Sequence, residues 1–412
     1  MSASATIAPV RVALVAACPF PSPQGSQVFV GQMAERLAAR GHDVHLLTYG
    51  QGAEQSGRGY RHHRIARVPG DDSRRSGPNL AKPLLDAMLA AKLAAITREH
   101  GVEVVHAHNY EAAVAALAAR ARTGAPVVYH SHNLMGDELE TYFDGTAAKA
   151  LARMAGGLLD RTVPRLADHA IALCEWSAAR LRAMGCRDTS LSVIPPAVDD
   201  EGPAVVTAGD REALGLRTDD FVVGYVGNFD AYQNLPLLLE AYARLVRHDE
   251  GQGGGRLRLL LAAHAIPGEW TSRIASAGLG DRVRLLEVAG HVEARRALAV
   301  SDVVGLPRRL GSGYPVKLLN SMSAAKAVIV AGCGSKVLRD GVDGLVVGDD
   351  DAEAFALAID RCRREPAVRG ALGEAARHTF LERLTWDRVL PPIEAVYAGL
   401  REPSRSPGRR VS

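Results

Sequence analysis

The stretch that most constrains this chain is 305–350, GLPRRLGSGYPVKLLNSMSAAKAVIVAGCGSKVLRDGVDGLVVGDD. It reads as a strand end, a glycine-rich loop, a helix, a buried strand, a glycine turn and a short strand after Asp343-Gly344. The loop Gly311-Ser312-Gly313-Tyr314-Pro315 feeds a helix expected to begin near Pro315, because proline is favoured in a first helical turn. A glycine loop running into a helix N-terminus offers free N–H donors and about half a positive charge. Such a place suits a phosphate group. The plainer reading is a βαβ crossover in which the glycines only make turns.

The same strand-and-helix logic runs through most of the 412 residues. VRVALVAA (10–17), VHLLTY (44–49), VEVVHAH (102–108), PVVYHSH (126–132) and HAIALC are apolar runs of the kind a strand buried on both faces requires. Helices are expected at about 28–40, 83–99 and 110–122. The polar segment 51–80 is expected to be irregular apart from IARV. Residues 145–166, TAAKALARMAGGLLDRTVPRLA, are amphipathic, with Lys149, Arg153, Arg161 and Arg165. They fit a packed helix pair, an acceptor channel wall or a helix lying on a membrane surface. After Pro195-Pro196 come strands FVVGYVGNF (221–229), RLRLLLAA (256–263), RVRLLEV (282–288) and DVVGLP (302–307). Helices are expected at 235–248, 293–300, 352–364 and 387–400. The expected fold is α/β, with two Rossmann-like doubly wound parallel-sheet domains at 9–196 and 197–385. The two domains are expected to face an interdomain ligand cleft, outside the carboxyl ends of the strands.

Composition narrows the function classes. A net charge of +3 and 5% aromatic residues argue against a nucleic-acid surface. Five scattered cysteines, at 18, 174, 186, 333 and 362, with no Cys-x-x-Cys pair, fit reduced thiols in a cytoplasm better than a disulfide frame or zinc site. No run approaches the 18 apolar residues of a membrane span.

Several segments, in order, resemble the GT-B retaining glycosyltransferases of family 4. They are the Gly25-Ser26 loop before a helix ending in RGHDV (40–44), VVHAH (104–108) and VIPPAVD (193–199). YVGNFDAYQNLPLLLEAY (225–242), SDVVGLP (301–307), GYPVKLLNSMSAAKAVIVA (313–331) and DGVDGLVV (340–347) complete the set. The resemblance covers about 10–400. It implies retaining transfer of a sugar from a nucleotide diphosphate sugar, UDP- or GDP-linked, as co-substrate. No metal or further cofactor is implied. The acceptor, small-molecule, lipid-linked or glycan, would lie on the first domain near Gly25, Ser26 and His108. A last helix at 386–400 would cross back to that domain, and His132 would face the donor sugar as the catalytic candidate. A cytoplasmic protein with weak peripheral membrane contact fits this picture.

The chain departs from the family pattern at its charged positions. Two glutamates seven residues apart are replaced by Ser312 and Asn320, and an Arg/Lys diphosphate clamp by Asn228 and Gln233. Neutral hydrogen bonds are roughly half as strong as charge-assisted ones. Substitute cations are Arg308, Arg309, Lys317 and Lys336, with Lys317 favoured because it falls in the helix's first turn beside Gly313 and Tyr314. Asp137, Glu138 and Glu140, following His132, are candidates for an acceptor contact or a base. The alternative function is a catalytically degenerate GT-B protein that binds a sugar nucleotide or a partner enzyme.

Overall fold

The computed structural model describes residues 7–21, 25–52, 57–68, 79, 81–250, 256–309 and 313–401. The chain divides into two compact units, Met1–Pro196 with Trp386–Ser412, and Ala197–Thr385.

The first unit is built on β1 (Arg11–Ala16), α1 (Gly25–Ala39), β2 (Asp43–Thr48), β3 (Arg61–Arg64), α2 (Lys82–His100), β4 (Val104–His108), α3 (Asn109–Thr123) and β5 (Val127–Ser131). It continues through α4 (Met135–Glu138), α5 (Thr146–Leu166), β6 (His169–Ala172), α6 (Glu175–Ala183) and β7 (Leu191–Val193). Its seven strands lie in the order β3-β2-β1-β4-β5-β6-β7, and every pairing is parallel. β4 and β5 are buried along their whole length, as strands covered by helices on both faces must be.

The second unit holds α7 (Ala208–Ala213), β8 (Phe221–Val226), α8 (Leu235–Glu250), β9 (Leu257–Ala263), α9 (Glu269–Ser276), β10 (Val283–Glu287) and α10 (His291–Val300). Then come β11 (Val303–Leu306), α11 (Val316–Ser323), β12 (Ala327–Ala331), β13 (Leu345–Val347), α12 (Ala352–Arg364) and α13 (Pro366–Arg383). Its sheet is also parallel, in the order β10-β9-β8-β11-β12-β13. The last helix, α14 (Trp386–Arg401), belongs to the first unit.

In each sheet the chain first steps outward on one side and then returns to build the other side. The direction reverses between β1 and β4 in the first unit and between β8 and β11 in the second. Parallel sheets open a crevice at that switch point, outside the carboxyl ends of the strands. The fold therefore places the segments after β1 and β4, and those after β8 and β11, at the two crevices.

α14 is fastened to the first unit by a buried carboxylate. Glu394, 3% exposed, accepts two bonds from the Arg40 guanidinium at 2.6 and 2.8 Å and lies 3.0 Å from His42 Nε2. His42 Nδ1 accepts the Val10 N–H at 3.1 Å, so the ring proton sits on Nε2 and is donated to Glu394.

Some local expectations are corrected. The edge strand is Arg61–Arg64, and IARV is irregular. RHHR carries no apolar alternation to announce a strand, and it pairs with β2 alone. Residues 146–166 form one helix, not a pair, with Pro164 accommodated in its last turn. Pro315 precedes α11 as its cap and is not in its first turn. An unanticipated helix, α13, fills 366–383.

Candidate active site

At the second unit's crevice, β8 ends in Gly227-Asn228 and β11 leads through Pro307 to Arg308. The Arg308 side chain is 7% exposed and its guanidinium lies 5.0 Å from the centre of the Tyr232 ring. Lys317, in the first turn of α11, is half-buried as a whole, but its amine end is enclosed. Nζ donates to Tyr225 Oη at 2.6 Å and lies over that ring, and Tyr225 Oη donates to the Asn228 carbonyl at 2.6 Å. Gly227, at φ +155°, passes so closely that a Cβ there would meet Nζ at 2.5 Å. Burial, reinforced by the nearby Arg308 charge and opposed by Asp230, pushes the Lys317 amine well below the usual lysine range. Two basic side chains thus lie in one crevice, and an anion arriving there would favour the charged form of Lys317.

The neutral residues expected to replace the clamp are engaged with one another. Gln233, buried, donates to Asn228 Oδ1 at 2.8 Å, and Asn228 donates to Asp230 and to Tyr232 Oη. Arg309 is exposed and pairs with Asp350 at 2.8 Å, so it is held as a surface ion pair. Gly313 has a left-handed φ of +75°, Tyr314 is buried, and Asn320 is exposed on α11. Ser312 and Gly311 lie outside the described residues. Lys336 adopts a left-handed φ of +51° after the second glycine turn.

In the first unit the parallel registers of β4 and β5 bring four histidines together. His106 Nε2 meets His130 Nδ1 at 3.0 Å, and His108 Nδ1 meets His132 Nε2 at 3.0 Å. His106 Nδ1 is paired with Tyr397 Oη of α14 at 2.6 Å. Phe29 of α1 packs edge-on against His130 and His132, at 5.5 Å each, and stacks on Trp386 at 5.3 Å. This aromatic cover desolvates the imidazoles and holds all four below the usual histidine range, His132 at about 4. They are therefore neutral at physiological pH, with one proton per ring. His108 and His132 share a single proton across their contact. If His108 donates, His132 carries its own proton on Nδ1 and can donate there. If His132 donates, its Nδ1 is an acceptor. The pair can therefore present either a donor or an acceptor to a sugar oxygen.

The acidic residues after His132 are structural. Asp137 pairs with Arg180 at 3.2 Å, Glu138 accepts from Asn133 and Tyr142 at 2.8 and 2.9 Å, and Glu140 is bound by Arg153. The segment itself is tied down by Asp160, 3% exposed, which accepts the N–H groups of Met135 and Gly136 at 2.9 and 2.8 Å. Gly25 and Ser26 open α1; Gly25 is exposed, and Ser26 Oγ donates to Gln27 Oε1 at 3.4 Å. Phe29, Trp386, Tyr397, Tyr225 and Tyr232 had not been singled out from the sequence. Only Tyr225, pointing from the same strand that delivers Gly227, carried a local hint.

Comparisons with known proteins agree on one lineage. A family profile described as Glycosyltransferase Family 4 matches residues 23–201, and one described as Glycosyl transferases group 1 matches residues 220–365. A D-inositol 3-phosphate glycosyltransferase of Actinosynnema mirum is 27% identical over 402 residues, covering 92% of this chain and 93% of its own. Its counterpart in Nocardiopsis dassonvillei is 28% identical over 442 residues, covering 98% and 97%. Among solved structures, Anabaena Alr3699/HepE in complex with UDP and glucose superposes with a TM-score of 0.76 at 17% identity, over 95% of this chain and all of that one. Sucrose-phosphate synthase from Thermosynechococcus elongatus gives 0.79 at 19% identity, over 94% and 98%. Two parallel-sheet units in series, each matched by its own profile in the right order, make this chain a family 4-like glycosyltransferase of the GT-B fold.

Proposed function

We propose that the protein transfers a sugar from a nucleoside diphosphate sugar, UDP- or GDP-linked, to a small polyol phosphate or a related acceptor, with retention at the anomeric carbon and without a metal. The observation that carries the donor assignment is the pair of enclosed basic side chains, Arg308 and Lys317, at the switch point of the second unit. A diphosphate arriving there adds negative charge beside both side chains. It also draws the Lys317 amine back toward its charged form, so leaving-group charge is met by a fixed cation and not by solvent. The HepE structures with UDP and UDP-glucose support a nucleotide sugar as donor. The inositol phosphate relatives support the acceptor class.

Retention is supported by the engagement of Asp137, Glu138 and Glu140 in structural contacts, which leaves none of the three free to act as the base. The departing diphosphate is then the proton acceptor, and His132 orients a sugar hydroxyl. The test is a matrix of UDP- and GDP-sugars against D-inositol 3-phosphate and other polyol phosphates, with excess EDTA, reading nucleoside diphosphate release and the product's anomeric coupling constant. Release with one pair, loss of at least tenfold in kcat/KM for the donor in Lys317→Met, and a retained anomer are expected. A donor-dependent rise in melting temperature without turnover of any pair would select a binding-only protein, and an inverted anomer would refute retention.

The reading includes weak peripheral contact with an anionic bilayer. On α5 the side chains of Leu151, Met154 and Leu158 are 67%, 71% and 63% exposed, in a helix that also carries Lys149, Arg161 and Arg165. Apolar side chains beside basic ones suit an anionic interface. Among the described residues no helix is long and apolar enough to cross a membrane. Co-sedimentation with phosphatidylglycerol vesicles, lost in Leu151→Glu/Leu158→Glu, tests this contact. Equal recovery of the two proteins would reject it.

A further inference from the structure

A second group of histidines stands apart from the β4–β5 cluster, at the β3 edge of the first unit's sheet. His45 comes from β2, His63 from the edge strand β3 and His100 from the last residue of α2. We propose that His45, His63 and His100 form a binding site for a borderline divalent transition metal, of the zinc, nickel or copper class, that staples the edge strand to β2 and the end of α2.

The geometry supports this directly. One ring nitrogen of each histidine lies within 4.8 Å of those of the other two. His45 Nδ1 and His63 Nε2 are already 3.0 Å apart, and the His100 ring centre is 4.4 Å from that of His45. Metal–nitrogen bonds of about 2.0–2.1 Å in tetrahedral array put ligand nitrogens roughly 3.4 Å apart. The first pair is thus within a few tenths of an ångström of the required spacing, and the third approaches by side-chain rotation. Such rotation is open to His63 and His100, which are only partly buried, whereas His45 is fixed in the sheet.

The surroundings favour a cation with nitrogen ligands. His100 ends α2, where the free carbonyls carry the negative end of the helix dipole. Asp43 Oδ1 lies 3.5 Å from His45 Nε2, and Glu99 lies 3.8 Å from His100 Nε2. The opposing charges are Lys92 and Arg61, and Arg61 is partly satisfied by Asp43 at 3.5 Å. Three imidazoles select zinc, nickel, cobalt or copper over calcium and magnesium, which demand oxygen. A fourth position remains for water, while Asp43 faces the opposite nitrogen of His45, Nε2.

The buried trio His106, His108 and His130 meets the same distance criterion but is a poorer host. Both nitrogens of His106 are taken by Tyr397 and His130, and Phe29 and Trp386 cover the group. The inference does not depend on the transferase reading.

The test uses the full-length, tag-free chain, stripped with EDTA and titrated with zinc chloride by calorimetry at pH 7.5. One ion per chain is expected, with a rise in melting temperature on binding. His63→Ala and His100→Ala should each weaken binding at least tenfold, and His63→Gln should do the same while keeping a hydrogen-bonding side chain, should the alanine variant fold poorly. His108→Ala should bind as the parent does. Absence of binding, or binding unchanged in the His63 and His100 variants, overturns the site. So does loss of binding in His108→Ala alone, which would place the ion at the buried trio.

Discussion

Replacing Glu394 by alanine is the perturbation whose outcome is most directly set by geometry. The carboxylate is 3% exposed, receives the Arg40 guanidinium in bidentate fashion and takes the Nε2 proton of His42, itself 1% exposed. Truncation orphans a buried ring N–H and leaves a guanidinium, 27% exposed, facing an apolar gap. Removing one partner of a buried ion pair costs about 3–5 kcal/mol, and the partial exposure of Arg40 argues for the lower half. For a body of 150–250 residues each kcal/mol moves Tm by about 2–4 °C, so a fall of roughly 6–16 °C in the first unit's transition is expected. Differential scanning calorimetry of the parent, Glu394→Ala, Glu394→Gln and the Arg40→Ala/Glu394→Ala cycle supplies the measurement. The glutamine, which keeps an acceptor oxygen, should lie between parent and alanine. Burial raises the carboxyl's pKa, but the bonds from Arg40 and His42 outweigh it and the net shift is downward. Its stabilisation is therefore present above the unfolded carboxyl range near pH 4 and is lost as pH falls through the lower folded value. A Tm change under about 2 °C, or a coupling energy below about 0.5 kcal/mol, would refute the reasoning.

The histidines of β4 and β5, together with His132 just after β5, set a second pH limit. Their folded pKa values are depressed and His132 stands at about 4, so their contribution is intact above about pH 6.5, the unfolded value, and declines toward pH 4 as the unfolded chain gains protons first. Melting temperature measured from pH 7.5 to 4.5 should fall, and less steeply in His132→Asn; equal slopes would contradict the assignment. In the second unit, Gly227→Ala should cost about 1–3 kcal/mol, because φ +155° is a strained place for a side chain and the new Cβ displaces the Lys317 amine. Lys317→Met in the same background should recover part of that loss, and strictly additive Tm changes would show that the contact does not matter.

How much of this was legible beforehand depended on the kind of signal. The strands around VRVALVAA, VEVVHAH, FVVGYVGNF and RLRLLLAA announce themselves, because a strand buried on both faces must be apolar at consecutive positions. RHHR does not. Its pairing with β2 is accompanied by side-chain contacts, His63 to His45 and His62 to Thr48, which no periodicity encodes. α13 was missed because its buried face holds only two large apolar side chains, Leu372 and Phe380, beside Gly373, Ala376 and Thr379, with Arg369 and Arg377 interspersed. At the site, strand ends could be located from turn residues, but the meeting of His106 with His130 follows from the β4–β5 register. The cover supplied by Phe29 and Trp386 joins residues more than 350 positions apart. The enclosure of Lys317 beneath Gly227 depends on a backbone angle that the letters Val-Gly-Asn do not specify.

The interruption of the first unit by the second has a consequence for biosynthesis. Residues up to 196 are translated before the second unit, yet the partners of Arg40, His42 and His106, namely Glu394 and Tyr397, are translated only after it. The nascent first half exposes the Phe29 and histidine face while the whole of the second unit is being made, a closure of very long sequence separation that slows folding. The second unit, Ala197–Thr385, is continuous in sequence and is fully translated before α14. The N-terminal sheet is sealed only once the final helix has cleared the exit tunnel.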